Sequence, residues 1–159
     1  MNRVLCVLLA LFAVTTAARA QTETPVPARF GVGISLTGGG AFGTGLLNTG
    51  LPGGLGVAAR LEMPNLIARG VGARLEIGTD GVSALAQWRA DLSADFNLTL
   101  AAGFGLSGYT DPALTGRFGL EYRFSTFAAA LEYGLTSTFG VATPATRSRL
   151  VLSVVWFLG

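Results

Sequence analysis

Apolar residues alternate with small or polar ones at a period of two along most of this chain, and the alternation falls into eight runs. The first sets Phe30, Val32, Ile34 and Leu36 against Gly31, Gly33, Ser35 and Thr37. The second sets Leu55, Val57, Ala59, Leu61 and Met63 against Gly54, Gly56, Ala58, Arg60 and Glu62, and the third sets Val71, Ala73, Leu75 and Ile77 against Gly70, Gly72, Arg74, Glu76 and Gly78. In the fourth, Val82, Ala84, Ala86, Trp88, Ala90 and Leu92 oppose Ser83, Leu85, Gln87, Arg89 and Asp91, with Leu85 the one poor fit. Phe96 to Leu106, Phe118 to Phe124, Phe127 to Leu135 and Leu150 to Leu158 continue the pattern. Runs of this kind are half-buried strands of roughly the 9–11 residues that a tilted membrane strand needs. An even number of strands lets the first pair with the last and close the sheet without an edge.

The expected architecture is therefore an all-β, eight-stranded antiparallel up-and-down transmembrane barrel. The connections are expected to alternate, with Gly38–Gly53, Thr79–Gly81, Gly108–Ala113 and about Thr138–Ser148 on the outer side. The inner side then takes Pro64–Ala68, Ser93–Asp95 and Ser125–Thr126, so three of the four outer loops are longer than every inner turn.

Hydropathy changes the picture in the same direction. Half the residues are apolar, yet after residue 20 no uncharged apolar run approaches the ~20 residues of a spanning helix. A chain that is hydrophobic without a hydrophobic helix has closed strands as its membrane-compatible form. A soluble lipocalin-type barrel has the same strand count and would turn the apolar face inward. Glycine argues against it. Gly31, Gly33, Gly72, Gly103, Gly105, Gly119 and Gly134 share the face that carries the charges. On a solvated face Gly only weakens a strand, whereas inside a narrow barrel it leaves room for long side chains. Aromatic residues collect near both strand ends, with Trp88, Phe96, Tyr122, Phe124, Phe127 and Trp156 at one and Phe104 and Phe139 at the other. That is the placement of interfacial belts.

The ends and the charge refine this reading. Arg3, the apolar stretch Val4 to Val14, and Ala18-Arg19-Ala20 read as a secretory signal cleaved after Ala20, so 1–20 is a signal peptide, 21–28 a short lead-in and 29–159 the barrel domain. Of eleven basic residues Arg3 and Arg19 fall in that signal, leaving nine Arg against nine acids and no Lys, a balance that gives no reason to expect nucleic acid as a partner. The chain has no His, and its one Cys, Cys6, lies in the signal. Thiolate chemistry and imidazole bases or ligands are thus absent from the barrel, and no spacing suggests a metal or cofactor site.

The candidate chemistry is a set of charges spaced by two, which places each pair on one face. The candidate lumen network is Arg60, Glu62, Arg74, Glu76, Arg89, Asp91, Arg117, Glu121, Arg123 and Glu132. A crossed, paired network filling the lumen is favoured over an ion or proton path, because an eight-stranded barrel has room for little beyond its own side chains. Gly38-Gly39-Gly40 leads into no helical pattern with Lys and is read as part of an exposed loop. That loop, Gly38–Gly53, carries Phe42, Leu46, Leu47 and Leu51 and is the expected surface for an extracellular partner.

The arrangement resembles the small eight-stranded outer-membrane barrels of the OmpA-transmembrane-domain and OmpX type. The resemblance covers nearly all of 29–159 and rests on pattern; family members usually end on an aromatic residue, whereas this sequence ends Phe157-Leu158-Gly159. It implies a non-enzymatic role in envelope integrity or surface contact, with membrane lipids and the barrel-insertion machinery as partners, and it transfers no site residues. The alternative is a barrel that binds or transports a small apolar ligand, either in the membrane or as a soluble lipocalin-like protein.

Overall fold

A computed structural model describes residues 29–39, 55–140 and 146–158. The expected signal, the lead-in and most of the Gly38–Gly53 loop lie outside the described residues. Eight strands follow one another: β1 (Phe30–Gly38), β2 (Gly56–Ala68), β3 (Val71–Gly78), β4 (Gly81–Asp91), β5 (Phe96–Ser107), β6 (Asp111–Arg123), β7 (Phe127–Thr138) and β8 (Thr146–Leu158). Each pairs antiparallel with its neighbour in sequence, and β8 pairs back onto β1, so the barrel is closed. Closure satisfies every strand edge within the sheet, which is the condition for standing in a medium that offers no hydrogen bonds.

The registers set the shape. Paired residues lead from Glu121 through Ala130, Ser153, Ser35, Ala58, Gly78, Gly81 and Ser107 to Asp111, back on the starting strand ten residues away. With strands about 4.8 Å apart and rising about 3.3 Å per residue, that stagger over eight strands tilts them by about 40°. Such a cylinder encloses little more than its own side chains.

Alternation sorts the residues as the strand periods require. Outward positions are apolar and exposed, including Ile34, Leu61, Leu100, Leu120, Leu131 and Leu152, and no strand residue on this side is charged. Arg60, Glu62, Arg74, Glu76, Arg89, Glu121 and Glu132 are buried in the interior. Leu85, the poor fit to the pattern, also points inward and is buried. At one end of the barrel the rings of Phe96, Tyr122, Phe124, Phe127 and Trp156 follow one another around β5 to β8, with centroids 4.7, 4.7, 4.1 and 6.5 Å apart. This end, which carries the β2–β3, β4–β5 and β6–β7 connections, is called the turn end here, and the opposite one the loop end.

Two expectations about connections are corrected. The segment Pro64–Ala68 is not a turn: β2 continues to Ala68, and its register with β3 shifts between Met63 and Ala68. The extra residues form a bulge that absorbs Pro64, which has no N–H to donate. Asn65 Oδ1 then accepts a hydrogen bond from Gly70 N at 2.9 Å, and the reversal falls on Arg69 and Gly70, where Gly70 has φ 73°. Asp111–Ala113 likewise belongs to β6 rather than to a loop. At the loop end the connections 79–80 and 108–110 are therefore as short as those at the turn end, and the length contrast rests on 39–55 and 139–145.

Candidate functional site

The interior charges meet as one network. Arg74 on β3 donates from Nη1 and Nη2 to the two oxygens of Glu132 on β7, at 2.9 and 2.8 Å. Strands β3 and β7 stand opposite each other in an eight-strand ring, so this bidentate pair crosses the lumen. Arg60 donates from Nη1 to Glu132 at 3.1 Å and to Ser153 Oγ at 2.5 Å, and its Nε bonds Glu62. Arg74 Nε lies 3.1 Å from Glu62, closing a four-membered ring of alternating charge.

From that ring the alternation continues towards both ends. Towards the loop end, Arg74 lies 3.7 Å from Glu76, whose carboxylate takes both Nη groups of Arg117, one at 2.9 Å. Towards the turn end, Glu62 bonds Arg89, which donates to Glu121 at 2.8 and 3.1 Å. Arg123 Nε reaches the other oxygen of Glu121 at 3.2 Å. Neutral neighbours complete the set: Gln87 accepts from Arg74, Asn97 donates to Glu121 and Thr99 to Glu132. The Arg89 guanidinium also stands 5.8 Å from the centroid of Phe157, within cation–π range.

Two of the inward glycines lie beside network residues. A Cβ at Gly119 would run into the backbone of β7 at Leu131 O and at Glu132 Cα, 2.6 Å away, so this glycine permits close approach of β6 and β7. At Gly134 a Cβ would make ordinary contact with Arg117 Cγ at 3.4 Å. The network is rich in donors. Arg60 Nη2, Arg89 Nη1 and Gln87 Nε2 have no protein hydrogen-bond partner among the described residues, and the only other buried side-chain atom in that position is Ser35 Oγ.

Nine of the ten candidate residues join this chain of charges, and one does not. Asp91 is corrected: it is exposed and pairs with Arg69 at 3.4 Å, with side chains 55% and 56% accessible. It is the last residue of β4, two positions past Arg89, where the wall gives way to the turn. Arg123 is at the margin, its side chain 40% accessible and paired with Glu121. The sequence reading missed Asp80, treated as part of a short Thr-Asp-Gly turn. Asp80 Oδ2 accepts from Arg149 Nη1 at 2.6 Å and from Thr37 Oγ1 at 3.0 Å, tying the β3–β4 turn to β8 and β1 at the loop end. Beneath this tie lies a cavity of about 50 Å³ bounded below by Glu76 and Arg117.

These features define a closed eight-stranded antiparallel barrel with its polarity inverted relative to a soluble protein: uncharged apolar residues outside, paired charges inside. Among solved structures the chain is similar to one described as "De novo design of transmembrane beta-barrels", with a TM-score of 0.57 and 12% identity over 86% of this chain and 100% of that one. At that identity the likeness concerns the fold. No protein-family model matches the chain, and no curated protein matches its sequence.

Proposed function

We propose that the protein is an outer-membrane barrel of the OmpA-transmembrane-domain and OmpX type, exported through a cleaved signal, with a non-enzymatic role in envelope integrity or surface contact. The observation that carries this reading is the inverted polarity. An outward surface of exposed Leu, Ile, Val and Phe is a liability in water and the required surface in hydrocarbon. The aromatic row at the turn end suits the boundary between hydrocarbon and headgroups. The fold likeness to a designed transmembrane barrel points the same way.

A non-enzymatic role is favoured because the interior carboxylates are each engaged by Arg and the sequence has no His to serve as a base. The lipocalin-like alternative needs an apolar interior, and this lumen is crossed by charged pairs instead. With the loop end outside, 39–55 is the longest connection and the surface best suited to an extracellular partner.

Because the network fills the lumen, the protein in a planar bilayer is expected to show no steady ionic conductance. A stable, ohmic current from the wild-type protein would contradict the filled lumen and favour a conducting role.

A further inference from the structure

The charge network accounts for the middle and the turn end of the lumen but leaves the loop-end cavity without a role. Its lining is mixed: Thr37, Ser83, Ser107 and Thr115 line it together with Arg117 and Arg149, and Val82 and Leu106 add apolar wall. The two arginines differ in how they are held. Arg117 is nearly buried, and both of its Nη groups bond Glu76. Arg149, 15% accessible, contacts only Asp80 among the described residues, through Nη1 alone.

Asp80 and Arg149 are unequally anchored. Arg149 stands within β8, paired with Gly134 of β7, and the next residue, Leu150, pairs with Gly38 of β1. Asp80 stands on the two-residue reversal between β3 and β4 and is 38% accessible, so rotation about its side-chain bonds takes the carboxylate into solvent without moving a strand. When it does, the Arg149 guanidinium faces the cavity with no carboxylate against it, surrounded by hydroxyls able to donate. A guanidinium fork and several hydroxyl donors recognise a planar oxyanion. A cation would meet two arginines, and the Glu76 carboxylate is already engaged by Arg117. Size narrows the class further. The free volume of about 50 Å³ has room for a small anion of a few heavy atoms and not for a bulky one.

We propose that the loop-end cavity is a binding site for a small carboxylate, and that Asp80 is a tethered competitor occupying the Arg149 position until such an anion displaces it. Gly56 fits this arrangement: a Cβ there would crowd Thr37 Oγ1 and lie 2.5 Å from Asp80 Oδ2, the two atoms that hydrogen-bond each other when Asp80 closes onto Arg149.

The test uses the full barrel folded in detergent micelles and labelled with ¹⁵N, titrated with sodium acetate at constant sodium concentration with chloride as the balancing anion. The Arg149 Nε–Hε resonance is followed. A saturable shift is expected in the wild type, with apparent affinity at least fivefold tighter in Asp80→Asn and also tighter in Gly56→Ala, and no saturable shift at any arginine in Arg149→Gln. Should one of the variants fail to fold, the wild-type titration and the other Asp80-releasing variant carry the test. A non-saturable wild-type response, or binding weakened by Asp80→Asn, would overturn the proposal.

Discussion

Glu132→Gln is expected to be among the most damaging single substitutions in the barrel, lowering its stability in detergent by about 3–5 kcal/mol. The side chain keeps its shape, so the loss is electrostatic. Glu132 accepts from Arg74 twice, from Arg60 and from Thr99, and it is 1% exposed. An amide turns one of those acceptor oxygens into a donor that faces other donors and removes the negative charge between two buried guanidinium groups. The contrast is Asp91→Asn, which breaks an exposed pair with Arg69 and is expected to cost no more than about 1 kcal/mol. Thermal unfolding of both variants in the same detergent measures the difference. If the two midpoints fall equally little, the lumen charges are screened by water and do not form a dry plug.

The second large effect lies on the other face. Leu131 is in the central part of β7, on the outward side and 51% exposed, between Leu120 of β6 and Leu152 of β8. Leu131→Arg is expected to destabilise the barrel by about 2–4 kcal/mol when folded into lipid vesicles, the range for a cation near the bilayer midplane. The same change on a water-facing barrel would be close to neutral. The size of this result therefore reports the surrounding medium, and equilibrium unfolding of the variant from vesicles reads it.

Faces were legible in the sequence and partners were not. Period-2 alternation assigns Arg60, Arg74 and Glu132 to the interior without any knowledge of register. Which of them meet depends on the ten-residue stagger, since the Arg74–Glu132 contact joins strands that are remote in order and opposite in space. Alternation also assigned Asp91 inward, correctly by parity, but parity says nothing about height; the strand ends there and the side chain meets water. Where proline or aspartate interrupts the pattern, the sequence misleads about length. Pro64 and Asn65 look like a turn and form a bulge, and Asp111-Pro112 looks like a loop and opens β6. At Pro112 the missing donor does no harm: its position pairs with Leu106, and its carbonyl accepts from Phe139 N at 2.9 Å. Asp80 was illegible for a related reason, because an acidic residue before Gly at a reversal is ordinary turn chemistry, and only the closed barrel brings Thr37 and Arg149 to it.

The inverted polarity of the wall makes folding depend on lipid, and refolding from urea tests that dependence most directly. Protein comprising residues 21–159 is diluted into buffer alone and into buffer with lipid vesicles, and each sample is followed by circular dichroism and by gel mobility with and without heating. The expected result is β-structure and a heat-sensitive mobility shift only where lipid is present. A folded, monodisperse, soluble protein in buffer alone would contradict the account.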